Sequence, residues 1–355
     1  MKGRLIAIDR APDGRTGAAL MVDGKLEDLL LDAPDGAPGP EEIVWAVVDR
    51  LLPRASGAFL RLDRGTMGYL REAKGLREGA EVLVQVSGQP EGGKAHPVTR
   101  RILYRGRFAI HTPDAPGINV SRQIRDAEER ARLVALAEAI VREAAHAGDA
   151  ETAGYWEDPG LILRSAAEGV GRDAAAADIR AVMAARREAE AACGAAGPST
   201  VRAATAAADF ALREWEGAVR DEPGAFETLG IWDEIDRLRA PGVALASGGS
   251  MTIEPCAALV AVDVNTGGDF SPAAGTKANT EAARELPRQL RLRGLGGQVV
   301  VDFAPMPRKD RRRLEDVLKA ALKRDPIETV AHGWTVMGLF ELQRKRERRP
   351  LSELV

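Results

Sequence analysis

Two aspartates interrupt short apolar runs and are the side chains best suited to chemistry in this sequence. The first run is Ala-Leu-Val-Ala-Val-Asp263-Val-Asn265 and the second is Gln-Val-Val-Val-Asp302-Phe. Runs of Val, Ala and Leu bounded by glycines predict buried strands, and a carboxylate is costly to bury unless a partner compensates its charge. A divalent cation is the natural partner for such a pair. Asp263 and Asp302 are therefore candidate metal ligands.

Magnesium suits this pair and suggests a reaction. Mg²⁺ takes oxygen ligands and keeps several waters, so one or two carboxylates suffice to hold it. Asn265 lies two residues after Asp263, on the same face of an extended strand, and its amide can bind a substrate phosphate or orient the attacking water. A bound metal polarises a phosphoryl oxygen and lowers the pKa of its water, which is the usual route to phosphodiester hydrolysis. Asp263, Asn265 and Asp302 are the candidate catalytic residues.

The segment between the two aspartates must position them. It runs from Asn279 to Arg293, is basic and predicts a helix, so strand, helix and strand indicate a βαβ unit with both carboxylates at neighbouring strand ends. Its arginines are candidate contacts for a phosphate backbone, as are the basic runs 308–313 and 344–349. The alternative is that each charge run is a solvated face, and for the tail from Arg344 we favour that alternative.

The composition of the whole chain limits the class of protein. The 355 residues allow two or three compact units, and the net charge of −3 means that nucleic-acid binding requires local basic patches. Two distant cysteines favour a reducing compartment without a disulfide framework. The N-terminus meets charge too soon for a signal peptide, and no apolar run approaches the ~20 residues of a membrane span. We expect a cytoplasmic enzyme that makes no use of a membrane.

The N-terminal part has the pattern of short strands joined by turns. Asp23-Gly24 between two apolar runs predicts a hairpin. Phe59 and Tyr69 are rare aromatics in a chain with 4% aromatic residues, and Lys94 and several arginines follow them. Exposed aromatics beside basic side chains are what an OB-type barrel needs to bind single-stranded nucleic acid. The alternative interpretation, that both aromatics are core residues, stays open.

The middle of the chain predicts three alanine-rich helices and one candidate anion site. The helices are expected at 124–146, 173–193 and 201–220. An apolar run between the first and second of them ends in Arg164 and Ser165, and a guanidinium beside a hydroxyl suits phosphate. An arginine at a strand end is more often a solvated charge or an ion-pair partner.

Several ordered motifs resemble the catalytic segment of the ribonuclease E/G family. They are Ser247-Gly-Gly-Ser, Asp263-Val-Asn265, Asn279-Thr-Glu-Ala-Ala, Arg288-Gln-Leu-Arg-Leu-Arg293-Gly-Leu-Gly-Gly, Val-Asp302-Phe and Gly338-Leu-Phe-Glu. The resemblance implies a magnesium-dependent endoribonuclease that cleaves single-stranded RNA, with a preference for 5′-monophosphorylated ends; Mn²⁺ can substitute for Mg²⁺. It also implies that Asp263 and Asp302 bind the metal and that Asn265 is the catalytic asparagine.

The resemblance implies a mixed α+β and α/β fold of four parts. An RNase H-like scaffold is expected at 1–40 and 205–245, an S1 (OB-type) β-barrel at 41–110, a 5′-sensor region at 111–204 and a DNase I-like catalytic subdomain at 246–355. In the barrel, Phe59, Tyr69 and Lys94 would bind RNA. In the sensor, Arg164 and Ser165 would hold the 5′-phosphate, with serine in place of the family's threonine.

Departures from the family pattern keep other functions open. The Cys-Pro-x-Cys zinc-link motif is not found after Gly338-Leu-Phe-Glu, so no zinc is expected and a homodimer would lack the family's zinc-linked assembly. Pro305 stands where relatives commonly carry aspartate, which leaves a catalytically impaired RNA-binding relative with a regulatory or ribosome-associated role as an alternative. A metal-dependent phosphatase or nucleotide hydrolase is a third, disfavoured because no Gly-x4-Gly-Lys-Ser/Thr phosphate loop is present in the sequence.

Overall fold

The protein divides into two compact units. The computed structural model describes residues 3–11, 13–33, 37–52, 56–90, 92–147, 156, 159–194, 197–271 and 273–355. One unit combines Met1–Ala37 with Ala206–Val355, and the other is Pro38–Thr205. Among the helices of the described residues, none has the length and apolar character needed to cross a membrane.

A closed five-stranded barrel forms the first half of the unit Pro38–Thr205. Its strands are β4 (Ile43–Leu52), β5 (Gly57–Arg61), β6 (Met67–Leu70), β7 (Glu81–Val86) and β8 (His96–Thr99). The order is β4-β5-β6-β8-β7, and β7 pairs back onto β4. Alternate residues such as Val44, Ala46, Ala58 and Leu60 fill the interior, as the two-residue period of a strand dictates. The expected OB-type barrel is confirmed.

The second half of this unit is a small sheet covered by two helices. The strands are β9 (Tyr104–Arg105), β10 (Ala109–His111), β11 (Ile118–Val120) and β12 (Leu161–Leu163), in the order β11-β12-β10-β9. Helices α1 (Ala127–Ala147) and α2 (Arg172–Ala191) bury Leu133, Ile140, Ile179 and Val182 in one core with this sheet. Two of the three predicted helices are thus confirmed.

The third predicted helix, 201–220, is confirmed only at its centre, and its bounds are wrong. Ser199–Arg202 is strand β13, paired with β4; Ala207–Glu214 is a short helix, α3; and Ala218–Arg220 is strand β14. Helical spacing of alanines therefore did not decide the structure. The two ends of the segment form strands because they pair with strands distant in the sequence; β14, for example, lies parallel to the first strand of the chain.

A four-stranded sheet opens the unit Met1–Ala37 with Ala206–Val355. Its strands are β1 (Arg4–Arg10), β2 (Thr16–Val22), β3 (Lys25–Leu31) and β14, in the order β14-β1-β2-β3. The predicted hairpin is confirmed, since Asp23 and Gly24 both have positive φ between β2 and β3. Helix α3 covers one face; helices α4 (Ala225–Thr228) and α5 (Ile231–Arg239) cover the other.

A six-stranded sheet holds the candidate active site. Its strands are β15 (Gly242–Ala244), β16 (Ser250–Pro255), β17 (Val260–Asn265), β18 (Gly297–Asp302), β19 (Thr329–Trp334) and β20 (Phe340–Arg344), in the order β15-β16-β17-β18-β20-β19. Strands β17 and β18 are parallel and joined by helix α6 (Ala274–Leu292), so the predicted βαβ unit is confirmed. Helices α6 and α7 (Arg311–Arg324) share a core with Val262, Val264, Val299 and Val301.

The fold class is therefore mixed α and β, with a barrel and several sheets. The RNase H-like, 5′-sensor and DNase I-like descriptions and their four boundaries stay predictions.

Candidate active site

Asp263 and Asp302 lie side by side at the ends of adjacent parallel strands. They are register partners across β17 and β18, whose spacing in a sheet is about 4.8 Å. Both side chains are exposed, because strand alternation turns Val262 and Val301 into the core and the aspartates outward. The expectation that these strands bury the carboxylates is wrong, since the helices packed on this sheet, α6 and α7, lie against the opposite face.

Asn265 joins this pair as the sequence predicts. It is exposed on the same face of β17, and its Nδ2 donates a hydrogen bond of 2.5 Å to Oδ2 of Asp263. The bond fixes the direction of the amide. An amide nitrogen carries two N–H donors, so this contact uses one of them.

The donor set fits magnesium. Two carboxylates on an exposed strand end offer hard oxygen ligands and leave space for the waters that Mg²⁺ retains. Within the described residues no group of three or more His, Cys, Asp or Glu side chains is arranged to hold a metal. Asp263 and Asp302 are thus the side chains that would bind the ion, and Pro305 supplies no ligand. Whether they do so stays a prediction.

Loops from several strands meet at this edge of the sheet. The β15–β16 turn (245–249) precedes Ser250, the register partner of Asn265. The segment 266–271 leaves β17 and the segment 303–310 leaves β18. The β19–β20 turn (335–339) adjoins Phe340, which pairs with Val301. Ligands of open α/β sheets bind outside the carboxyl ends of the strands, which is where these loops lie.

Asn279 fixes the loop that follows Asp302. Its side chain on α6 is completely buried, its Nδ2 donates to the carbonyl of Ala304 at 2.8 Å, and its Oδ1 accepts the Ala304 N–H at 2.9 Å. Helix α6 also approaches this loop so closely at Gly275 that a side chain there would meet the carbonyl of Pro305. An asparagine on the apolar face of a helix indicates a buried polar contact, but the sequence analysis predicted no role for Asn279.

Glu281 fixes a second loop from the same helix. Its carboxylate accepts the backbone N–H of Ser247 at 2.8 Å. Burial opposes its ionisation, yet hydrogen bonds from Ser247 hold the pKa of Glu281 below its ordinary value. This loop also packs closely against β17, so that a side chain at position 249 in place of Gly249 would overlap the carbonyl oxygen of Asn265. Asn279 and Glu281 together brace both sides of the carboxylate pair.

Some of the predicted phosphate-binding arginines have a different role. Arg291, Arg293 and Arg344 are buried, with 4%, 7% and 1% exposure. Arg291 and Arg344 both pair with the buried Asp325, the latter at 2.8 Å. The assignment of Arg291 and Arg293 as phosphate contacts is wrong, because buried guanidinium groups cannot reach RNA. The expected solvation of the tail is also wrong at Arg344 and at Arg348, which pairs with Asp28 at 3.0 Å.

Other basic side chains remain available at the edge of the sheet. Arg308, Lys309, Arg312 and Arg313 are exposed at the start of α7, shortly after Asp302 in the chain. Arg284 is exposed on α6. These groups can form the local basic patch that a chain of net charge −3 requires for RNA.

The two barrel aromatics lie together outside the barrel core. Phe59 and Tyr69 are register partners on β5 and β6, with ring centroids 5.6 Å apart, and both are half-buried. Their strand neighbours Ala58, Leu60 and Leu70 fill the core instead, so the core alternative is wrong. The guanidinium of Arg50 lies 5.3 Å from the Phe59 ring centroid.

Lys94 is exposed in the segment that leads into β8. Strand β8 lies parallel to β6 and pairs Pro97 with Tyr69, and Lys94 precedes Pro97 by three residues. The structure thus brings the two aromatics together and places Lys94 in the connection to the strand that pairs with β6. Their role in binding stays a prediction.

Arg164 and Ser165 are adjacent at the end of β12. The half-buried Arg164 donates from Nη1 to the carbonyl of Gly106 at 2.7 Å, and Ser165 is exposed at the start of a 3-10 turn. Beside them, the Asp178 carboxylate accepts three successive backbone N–H groups, those of residues 107–109, at 2.8 to 3.0 Å. This framework fixes where the guanidinium lies; its binding of a 5′-phosphate stays a prediction.

Comparison with known proteins links this chain to one family. The sequence profile of the Ribonuclease E/G family matches residues 104–222 and 212–347, which is more than half of the chain. The chain is 29% identical to Ribonuclease E of Nostoc sp. over 396 residues and to Ribonuclease E of Synechocystis sp. over 408 residues, in each case covering 95% of this chain. It is 29% identical to Ribonuclease G of Escherichia coli over 320 residues, covering 79% of this chain. The matches cover 55%, 56% and 62% of these relatives' own lengths.

Proposed function

Because the chain belongs to the ribonuclease E/G family, we propose that it is a magnesium-dependent endoribonuclease acting on single-stranded RNA in RNA processing or decay. The observation that carries the proposal is the register pairing of Asp263 and Asp302, with Asn265 hydrogen-bonded to the former. A pure binding protein has no need of two adjacent like charges on a strand edge. A cytoplasmic location, where RNA is processed, belongs to the same proposal.

Different residues of the site would bind the metal, contact the substrate and position the loops. Asp263 and Asp302 would hold Mg²⁺, which when bound supplies Lewis acidity to a phosphoryl oxygen and lowers the pKa of a water. Asn265, oriented by Asp263, donates its second N–H to the phosphate or to the attacking water. Asn279 and Glu281 keep the flanking loops in place, and preorganised donors are worth most when they need no rearrangement.

Basic and aromatic side chains would bring the RNA to the site. The exposed group at Arg308, Lys309, Arg312 and Arg313 attracts the phosphate backbone. In the barrel, Phe59 and Tyr69 present ring surface on which unpaired bases stack, and Lys94 neutralises a phosphate. This part of the proposal is supported by the position of the half-buried aromatic pair outside the barrel core.

We further propose that Arg164 and Ser165 read the 5′ end of the RNA. A guanidinium and a hydroxyl on consecutive residues suit a terminal monophosphate, which offers several acceptor oxygens. A 5′-hydroxyl offers no such charge. The enzyme would therefore favour 5′-monophosphorylated RNA.

An RNA-binding relative without turnover is the second candidate. It is favoured by Pro305, which has no ligating side chain three residues after Asp302. A metal-dependent phosphatase of another family loses its support, because the family profile matches far more than the βαβ unit.

Mapping the products of a single-stranded RNA separates these candidates. The RNA carries a label at one end and is incubated with the protein in magnesium and in EDTA. Internal cuts in magnesium alone support the endoribonuclease. Tight binding with no cuts in either condition would favour the RNA-binding relative.

A further inference from the structure

Three outward-facing apolar side chains, Phe270, Val336 and Met337, lie on two loops at the edge of the sheet that carries the carboxylate pair. We propose that they contact unpaired RNA bases next to the phosphate that is cut. The inference rests on the proposed function and adds to it a substrate contact within the catalytic sheet itself.

The exposure of these three side chains sets them apart. Their relative exposures are 93%, 108% and 88%, whereas no other exposed large apolar side chain among the described residues exceeds 49%. Single exposed apolar residues are common on protein surfaces, but a group of them next to polar site residues marks a binding surface. Whether these three residues form a binding surface therefore depends on where they lie relative to the carboxylate pair.

The strand registers place both loops at the carboxylate edge. Phe270 lies in the segment that leaves β17 directly after Asn265. Val336 and Met337 form the turn between β19 and β20, and Phe340 at the start of β20 pairs with Val301, the residue before Asp302. One loop thus leaves the strand of Asp263, and the other adjoins the strand of Asp302.

The turn that carries Val336 and Met337 is well ordered by its contacts. The Thr335 N–H donates to the carbonyl of Leu339 at 2.7 Å, and the Leu339 N–H donates to Oγ1 of Thr335 at 3.1 Å. Before the turn, Trp334 packs edge-on against Phe340 with centroids 5.2 Å apart, under the guanidinium of Arg311 at 4.4 Å. The outward direction of the two side chains is therefore imposed by a hydrogen-bonded turn.

The Phe270 loop is anchored in a similar way. The Ser271 N–H donates to Oδ1 of Asp269 at 2.9 Å, and the Ala274 N–H donates to the carbonyl of Ser271 at 3.0 Å. At its start, Gly267 has positive φ and packs tightly against the carbonyl of Gly248. The loop thus leaves β17 along a fixed path and holds Phe270 away from the core.

The surrounding charge identifies the occupant as single-stranded nucleic acid. The exposed cations Arg308, Lys309, Arg312 and Arg313 follow Asp302 within the same edge of the sheet and complement a phosphate backbone. Flat base faces complement apolar side chains, and every base offers such a face. Bases in a duplex are stacked and paired, so they cannot reach these side chains. The surface thereby favours single-stranded over duplex RNA.

Short unstructured RNA tests the proposal by binding and by cleavage. The variants are Phe270→Ala and Met337→Ala, with Val330→Ala as the matched control, because Val330 is an exposed residue of the same sheet at the opposite end of β19. Binding is measured by fluorescence anisotropy in EDTA, so that no chemistry intervenes. We expect each test variant to weaken binding about tenfold and to raise KM more than it lowers kcat, while the control matches wild type.

An RNA with abasic nucleotides beside the cleaved phosphate makes the test specific to bases. Wild type should lose affinity for the abasic RNA, and the double variant Phe270→Ala, Met337→Ala should lose no more. Unchanged binding and KM in both variants, with cleavage intact, would overturn the inference alone. Weakened binding of the variants without any cleavage by wild type would support the contact with bases, but it would overturn the endoribonuclease and with it the position beside a cleaved phosphate. A changed oligomeric state of the variants with unchanged RNA binding would assign the surface to a second copy of the chain and overturn the inference.

Discussion

Asp263 and Asp302 are register partners on adjacent parallel strands, although helix α6 separates them in the sequence. A parallel pair joined by a helix places the carboxyl ends of both strands at one edge, so the connection itself brings the two carboxylates together. Strand alternation then turns both toward solvent. The site follows from the βαβ connection, and the loops around it determine what it binds.

Replacing Asn279 with alanine should impair catalysis through the loop after Asp302. The change leaves the buried N–H and carbonyl of Ala304 without their partner, which costs on the order of 1–3 kcal/mol of folding stability. We expect kcat to fall at temperatures where the variant is folded, and a higher magnesium concentration to be needed for half-maximal rate. Thr280→Ala is the matched control, because that hydroxyl bonds only to its own helix. A loss of stability with an unchanged magnesium requirement would contradict a positioning role.

Tyr69 should contribute to RNA binding more than to stability. The ring is half-buried outside the barrel core, so Tyr69→Ala should weaken RNA binding by about 1–3 kcal/mol, the usual worth of a stacked base. Tyr69→Phe keeps the ring and should bind almost as wild type. Fluorescence anisotropy and thermal unfolding of both variants check this. If Tyr69→Ala lowered the Tm strongly but left RNA affinity unchanged, the ring would be structural.

Arg164 should set the preference for the 5′ end. We expect Arg164→Ala to reduce the ratio of cleavage rates for 5′-monophosphorylated over 5′-hydroxyl RNA, because the guanidinium provides the charge that distinguishes the two. Arg172→Ala is the control, since Arg172 is an exposed arginine that pairs with Glu143. Equal ratios for wild type and Arg164→Ala would rule out the sensor. Ser165→Thr keeps a hydroxyl at this position and should keep the preference.

The buried His111 should make the unit Pro38–Thr205 sensitive to acid. Burial lowers the pKa of His111; its Nδ1 lies 2.9 Å from the carbonyl of Gly160 and its Nε2 faces Arg186. The unfolded chain takes up a proton near its ordinary pKa of about 6.5, but the folded chain does so only at lower pH. The contribution of His111 to the free energy of unfolding should therefore be fully present above a pH of about 6.5 and should decrease as the pH drops below that value.

Unfolding by urea across this pH range measures the effect. One histidine contributes a slope of at most about 1.4 kcal/mol per pH unit, and His111→Gln should remove that part of the slope. The comparison must be of slopes, because the variant also loses a buried contact. An identical slope in wild type and variant would show that other groups cause the acid sensitivity.

The sequence predicted the features that depend on local pattern. The Asp23-Gly24 hairpin, the closed barrel and the βαβ unit all formed where periodicity and turn residues indicated. The face on which Asn265 lies followed from the two-residue period of a strand. The exposure of the carboxylates did not, because an apolar run does not reveal that helices cover only one side of the sheet.

Features that depend on distant partners could not be predicted in this way. Arg291 and Arg344 have the pattern of a basic, solvated surface, but Asp325 reaches both of them in the interior. A buried arginine of this kind cannot be identified until the fold shows which carboxylate pairs with it. Likewise, the end of the 201–220 segment forms strand β14 because it pairs with β1. The alanine-rich sequence of the segment does not reveal this distant partner.

Cleavage of a 5′-monophosphorylated single-stranded RNA by Asp302→Asn, beside wild type and Asp316→Asn, tests the central claim most directly. Asp316 is an exposed carboxylate of α7, so its variant controls for the loss of one surface charge. We expect internal cuts by wild type and Asp316→Asn in magnesium, none in EDTA, and none by Asp302→Asn although it still binds the RNA. Cleavage by Asp302→Asn at the wild-type rate would contradict the assignment of Asp263 and Asp302 as the metal-binding pair.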